Sequence, residues 1–166
     1  MKNILLSLMM AVTAIGTNAQ NTYNVRLGGA IQNECTTVTT MAQANISLKN
    51  VSSWVFSPAV QISTNLYDTA AMLHANMGYR TRIGDKCLFV PKVGIAGGYF
   101  SWDTDYKEGF LVGPSIDLAF ELKHFVIGLT GFYSINKAEG KLSNDEKWYN
   151  DDAAVPMVSL ALGYTF

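Results

Sequence analysis

Residues Ala153 to Phe166 read Ala-Ala-Val-Pro-Met-Val-Ser-Leu-Ala-Leu-Gly-Tyr-Thr-Phe, and the parity of this stretch decides the fold. Taken in steps of two from the end, Phe166, Tyr164, Leu162, Leu160, Val158 and Pro156 share one face. Thr165, Gly163, Ala161, Ser159 and Met157 share the other. Successive side chains of a strand point to opposite faces, so this is a strand with one apolar face and one small or weakly polar face.

Upstream, the same design recurs over residues 23–32, 41–49, 54–66, 72–83, 87–100, 110–122 and 125–136. The alternation is clearest in the sixth stretch. There Phe110, Val112, Pro114, Ile116, Leu118, Phe120 and Leu122 oppose Leu111, Gly113, Ser115, Asp117, Ala119 and Glu121. With the last stretch this makes eight strands of about ten residues, the length a tilted strand needs to cross a bilayer. The links 50–53, 84–86 and 123–124 are brief, whereas most of the others are longer and more polar. The expected fold is all-β: an eight-stranded antiparallel up-and-down transmembrane β-barrel. An even strand count lets the first strand pair with the last, leaving no open edge in lipid. Brief turns face the periplasm in such barrels, which would put both chain ends there.

The composition agrees. Of 166 residues, 49% are apolar and only 15% charged, against about 25% charged in an average globular chain. A net charge of -1 argues against a nucleic-acid partner. Met1-Lys2-Asn3, the apolar run Ile4 to Gly16 and the small residues around Ala19 follow the order of a secretory signal peptide. The expected division is a signal peptide over 1–19 and a barrel domain over 20–166. The apolar run falls short of the roughly 20 residues of a spanning helix.

Which face is inside follows from three features. The weaker face carries Gly28, Gly78, Gly94, Gly98, Gly113, Gly128 and Gly163, and small residues suit a lumen with room only for side chains. Aromatics such as Tyr23, Trp54, Phe89, Phe125 and Tyr133 gather at strand ends on the apolar face, as at a lipid–water boundary. That face also lacks Lys, Arg, Asp and Glu. Pro58, Pro91, Pro114 and Pro156 fit poorly, since each lacks a ladder N–H; bulges or rim positions would accommodate them.

The inward face places Arg26, Lys49, Arg80, Arg82 and Lys92 against Asp117 and Glu121. The expectation is a salt-bridge network filling the lumen, with Asp117 or Glu121 paired to Arg80, Arg82 or Lys92. The surplus of base leaves a low-conductance path for ions or small solutes as the alternative. A lipid A-modifying enzyme would need a His near a Ser or acid at the external rim. His74 points inward and His124 lies in a turn, so no catalytic role is expected. Cys35 and Cys87 fall at opposite ends of the barrel, too far apart to bridge. No metal or cofactor motif is present. Trp148 and Tyr149, in the polar stretch 137–152, are candidates for contact with an unknown extracellular ligand.

The leader, the eight alternating strands and the final Val158-Ser-Leu-Ala-Leu-Gly-Tyr-Thr-Phe166 resemble the small outer-membrane barrels of the outer-membrane protein A and X type. The Ala19-Gln20 junction and Gly-rich strands are most similar to the porin-like outer-membrane β-barrel family of the Bacteroidota. That resemblance implies residence among outer-membrane lipids and a structural or surface-interaction role. It also implies handling by periplasmic chaperones and the barrel assembly machinery, with Tyr164 and Phe166 as the assembly signal.

Overall fold

A computed structural model of the chain describes residues 21–32, 35–48, 53–102, 107–136, 139–141, 147–149 and 156–166. The expected signal peptide and Lys49 lie outside these residues, as do the side chains of Cys35, Trp148 and Tyr149.

The strands are β1 (Thr22–Gln32), β2 (Cys35–Ser47), β3 (Trp54–Thr64), β4 (Asp68–Tyr79), β5 (Thr81–Ile83), β6 (Cys87–Trp102), β7 (Lys107–Leu122), β8 (Phe125–Tyr133), β9 (Glu139–Lys141), β10 (Lys147–Tyr149) and β11 (Pro156–Thr165). All pairings are antiparallel. β4 and β5 are two parts of one stave. Eight staves therefore run β1-β2-β3-β4/β5-β6-β7-β8-β11 and return to β1. The closing seam pairs Asn24 with Thr165 through to Gln32 with Met157. Beyond it, the Phe166 N–H donates to the Tyr23 carbonyl at 2.8 Å. A ring of this kind satisfies backbone groups from strand to strand, which is what hydrocarbon demands of a spanning sheet.

Every barrel stave keeps the parity expected of it. Leu27, Leu73, Val93, Ile95, Leu160 and Leu162 stand on the outside, 58% to 65% exposed, and the inside buries more polar side chains than apolar ones. This inverts the rule for soluble proteins, where uncompensated polar groups stay out of the interior. Aromatic rings mark the belt's edges. Trp54 meets Tyr79 edge-on at 5.4 Å, and Tyr164 packs against His124, Phe125 and Phe166 at the end that holds both termini of the barrel. At the far end the Tyr99 hydroxyl donates to Glu108 at 2.6 Å, the point where charge returns to the outer face.

Several boundaries differ from the expectation. β2 begins at Cys35 rather than Met41, and β4 at Asp68 rather than Met72. Thr36, Thr37, Thr39 and Thr40 read as a polar link, yet β-branched threonines suit a pleated wall. The links at the far end between β1 and β2 and between β3 and β4 are consequently as brief as those at the terminal end, so loop length separates the two ends less than the sequence suggested. The stretch 137–152 is not wholly a loop: β9 and β10 pair with each other, and β9 pairs with Lys107 and Glu108 of β7.

The prolines have a common explanation that is not a bulge. Between Gln43–Ala59 and Ile46–Phe56 the β2–β3 ladder skips two rungs beside Pro58 without changing register. The β4/β5 stave breaks at Arg80 opposite Pro91 and Val90, again in unchanged register. The β7–β8 ladder stops at Ser115–Phe132, beside Pro114, and resumes where the Ile135 N–H donates to the Val112 carbonyl at 2.9 Å. Each proline withholds its missing donor from one neighbour while the other ladder runs on through Pro58–Ala75, Pro91–Leu118 and Pro114–Ile95. Pro156 opens its strand, a position that tolerates the residue.

An arginine at Leu129, in the middle of the outward belt, should cost about 2–4 kcal/mol in urea unfolding from lipid vesicles. The inward Ser159→Ala should cost less than about 1.5 kcal/mol in the same measurement.

Candidate functional site

The chemistry of the described residues concentrates in the lumen, at Asp117. Parity of β7 turns its carboxylate inward, where it is fully buried. Oδ1 accepts from Arg26 Nη1 at 2.7 Å and from the Thr130 hydroxyl at 3.1 Å. Oδ2 accepts from Lys92 Nζ at 2.7 Å, Gln43 Nε2 at 3.0 Å and Arg26 Nη2 at 3.3 Å. Gln43 ties the cations together: its Oε1 accepts from Arg26 Nη2 at 2.8 Å and Lys92 Nζ at 2.9 Å. Asn24 Oδ1 takes the remaining Arg26 Nε–H at 3.0 Å. Two cations and one carboxylate removed from water are costly unless paired and bonded in this way.

Room for the two basic stems comes from glycine. A Cβ at Gly128 would collide with the Arg26 guanidinium, and one at Gly78 would lie 2.5 Å from Lys92 Cγ. Apolar side chains pack in the lumen on either side of the cluster, beside buried polar ones such as Gln61, Asn76 and Ser57. On β6 the order is Val90, Lys92, Ala96; on β7 it is Leu111, Asp117, Ala119; on β8 it is Val126, Thr130, Phe132. Val55, Val90, Ala119 and Val126 pack together on the terminal side. Met72, Phe100, Leu111, Phe132 and Met157 pack together on the far side, with Phe100 and Phe132 stacked at 5.9 Å.

The other charges named from the sequence lie elsewhere. Glu121 is buried two inward positions nearer the terminal mouth, past Ala119, where its Oε1 accepts from Asn45 Nδ2 at 3.0 Å. Arg80 is half-buried and donates to the Ser47 and Thr22 hydroxyls at 2.9 and 3.1 Å. Arg82 does not join the lumen. It stands exposed on β5, beyond the last buried rung, and lines a shallow depression at the mouth with Glu121 and Thr165. Among the described residues the buried ionic side chains are Arg26 and Lys92 against Asp68, Asp117 and Glu121, so the buried lumen carries no surplus of base. Sequence reasoning overlooked Gln43, Thr130, Asn24 and the two glycines as parts of the cluster. Their inward parity was the available signal.

His74 is buried on the inner face, and neither ring nitrogen meets a hydrogen-bond partner among the described residues. The Ser63 hydroxyl donates to Thr39 at 2.9 Å rather than engaging a base. Among the described residues no group of His, Cys, Asp and Glu is arranged to hold a metal. Cys87 is a half-buried free thiol at the terminal end, while the backbone of Cys35 lies at the far end. Trp148 and Tyr149 lie on β10, paired in backbone with Gly140 and Glu139. Tyr164 and Phe166 sit beside the closing seam.

No protein-family profile matches the chain, and no curated protein is detectably similar in sequence. Solved structures are similar in shape. Neisserial surface protein A superposes with a TM-score of 0.64 at 10% identity, over 89% of this chain and 96% of that one. The N-terminal β-barrel domain of Pseudomonas aeruginosa OprF gives 0.52 at 9% identity, over 87% and 97%. Ail, the attachment invasion locus protein of Yersinia pestis, solved with the heparin analogue sucrose octasulfate, gives 0.52 at 11%, over 88% and 97%. The shared feature is the small closed eight-stranded barrel.

Asp117→Ala would strand two buried cations, and should lower stability by about 3–5 kcal/mol in urea unfolding from vesicles. Replacing the whole cluster (Arg26→Met, Lys92→Met and Asp117→Leu together) should recover most of that loss, because no uncompensated charge remains. Gly128→Val should destabilise as Asp117→Ala does, by expelling Arg26.

Proposed function

We propose that the protein is an integral outer-membrane barrel whose filled interior acts as a rigid support and whose contacts with other molecules are made at the far-end rim. The observation that carries this reading is the Asp117 cluster. Arg26, Lys92, Gln43 and Thr130 converge on one carboxylate in the middle of the lumen, and an interior filled by mutually bonded side chains supports a closed barrel over a channel. The lipid-facing belt and the likeness to barrels of bacterial surface proteins support the outer-membrane placement. A leader over 1–19 fits the same placement, with both ends of the barrel in the periplasm. Delivery by periplasmic chaperones to the assembly machinery fits it too, with Tyr164 and Phe166 read as the signal. The Gly-rich strands and the Ala19-Gln20 junction favour the porin-like family of the Bacteroidota as the finer kinship.

The rim reading rests on two features. β6 and β7 rise past the aromatic boundary, and β9 and β10 widen the sheet there. Backbone held in sheet is a firmer base for recognition than a free loop. The segment carrying Trp148 and Tyr149 lies on this extension. Catalysis on lipid is not part of the proposal: His74 faces the lumen, and the Ser63 hydroxyl is committed to Thr39.

Planar-bilayer recording of the refolded protein should be silent. Steady large openings would overturn the closed-lumen reading in favour of a channel for small solutes. Removal of residues 141–150 should abolish capture of any surface partner without altering heat-modified gel mobility. Unchanged capture would move the contact elsewhere on the rim.

A further inference from the structure

We propose that the wall at β7, β8 and β11 holds one acyl chain of a bilayer lipid in a fixed groove. The claim rests on the belt facing lipid, and it goes beyond the support role proposed above. The groove is a broad, open depression of about 510 Å³ on the outer wall. Its outer walls are Val93, Pro114, Ile116, Tyr133, Pro156 and Val158, and its centre is Gly131.

Three local facts produce it. Gly131 occupies an outward position in the belt and contributes no side chain, so a gap opens between Ile116 and Val158, its partners on either side. Pro114 removes the β7–β8 rungs just above. Pro156 opens β11 opposite Tyr133, so the short proline ring stands where a longer side chain would fill the space. The groove is blind. Phe132 and Met157, behind it, are buried in the apolar cluster on the far side of the lumen, so it does not lead to the Asp117 cluster.

The occupant follows from the surroundings. Val93 and Val158 are 62% and 51% exposed, and the groove is continuous with the outward apolar belt. Walls of this kind hold no ordered water, which needs polar partners. An empty groove would forfeit dispersion contacts along its whole lining. Lipid chains surround the belt at the highest concentration of any candidate. Apolar groups gain nothing by leaving bulk lipid, so what retains one chain is the fit of its shape. The Tyr133 phenol, exposed at the far-end edge and without a hydrogen-bond partner among the described residues, can donate to the ester or head group of the same lipid.

The test is native mass spectrometry of the full mature chain refolded in detergent with added dimyristoyl phosphatidylglycerol. One lipid should remain bound per barrel after the micelle is stripped. Gly131→Trp and Val158→Trp, which fill the groove, should each lower that retained fraction roughly tenfold. Ile62→Trp, outward on β3 across the ring, should leave it unchanged. Heat-modified gel mobility and vesicle insertion identify folded variants, and Val158→Trp decides if Gly131→Trp does not fold. The proposal is overturned by no retained lipid, by equal retention in the filled variants, by an equal loss in Ile62→Trp, or by a dimer that excludes lipid. Failure of the unaltered chain to insert into vesicles would instead sink the membrane placement on which it rests.

Discussion

One carboxylate holds the middle of this barrel together. Asp117 takes hydrogen bonds from two cations, an amide and a hydroxyl that reach it from four other strands, β1, β6, β2 and β8. The cluster therefore ties five of the eight staves together across the lumen, with smaller cross-lumen bonds such as Asn45 to Glu121 and Ser115 to Asn76 beside it. It is also the arrangement on which the two glycines depend for their meaning. Gly78 and Gly128 are empty so that Lys92 and Arg26 can be full length. A carboxylate without its cations, or cations without their cavities, would be a buried charge in a medium that punishes it.

Outside, the same constraint appears in reverse. Lipid offers the backbone no partners, so the ring must close and its rungs must be nearly complete. The chain tolerates four prolines because each falls on the outer face, where a ring costs nothing in lumen volume; Pro58, Pro91 and Pro114 each spoil one ladder while the opposite ladder holds register, and Pro156 only opens its strand. Two adjacent rungs are lost at three places in the wall. Register survives since a slip of one residue would turn Leu and Ile inward and Asp117 outward along the whole strand.

Much of this was legible in the sequence. Period-two alternation over eight stretches sets the strand count and assigns each side chain to lipid or lumen, and the structure follows that parity throughout the described barrel. Strand ends were less legible, because Thr36 to Thr40 and Asp68 to Ala71 look like loop by polarity while serving as wall by shape. The wiring of the lumen was the hardest part. Parity shows that Arg26, Arg80, Lys92 and Asp117 share an interior, but which of them touch depends on how far each strand is offset as the sheet winds round. That offset is written in the register of eight seams, not in any local motif. Arg26 lies 91 residues from Asp117 in sequence and was grouped with the lumen charges without being named as a partner for the carboxylate.

The height of the β6–β7 hairpin has a mechanical consequence. Each strand has 16 residues, about 50 Å of extended chain, against a hydrocarbon layer of about 30 Å. Tilted by about 35–45°, the pair rises about 35–40 Å, past the hydrocarbon and into the head-group layer, and a force applied at its Trp102–Lys107 tip is carried down paired backbone into the cross-braced interior. A large body pulling on that tip would load the sheet in shear along many rungs at once, the direction in which hydrogen-bonded strands resist best.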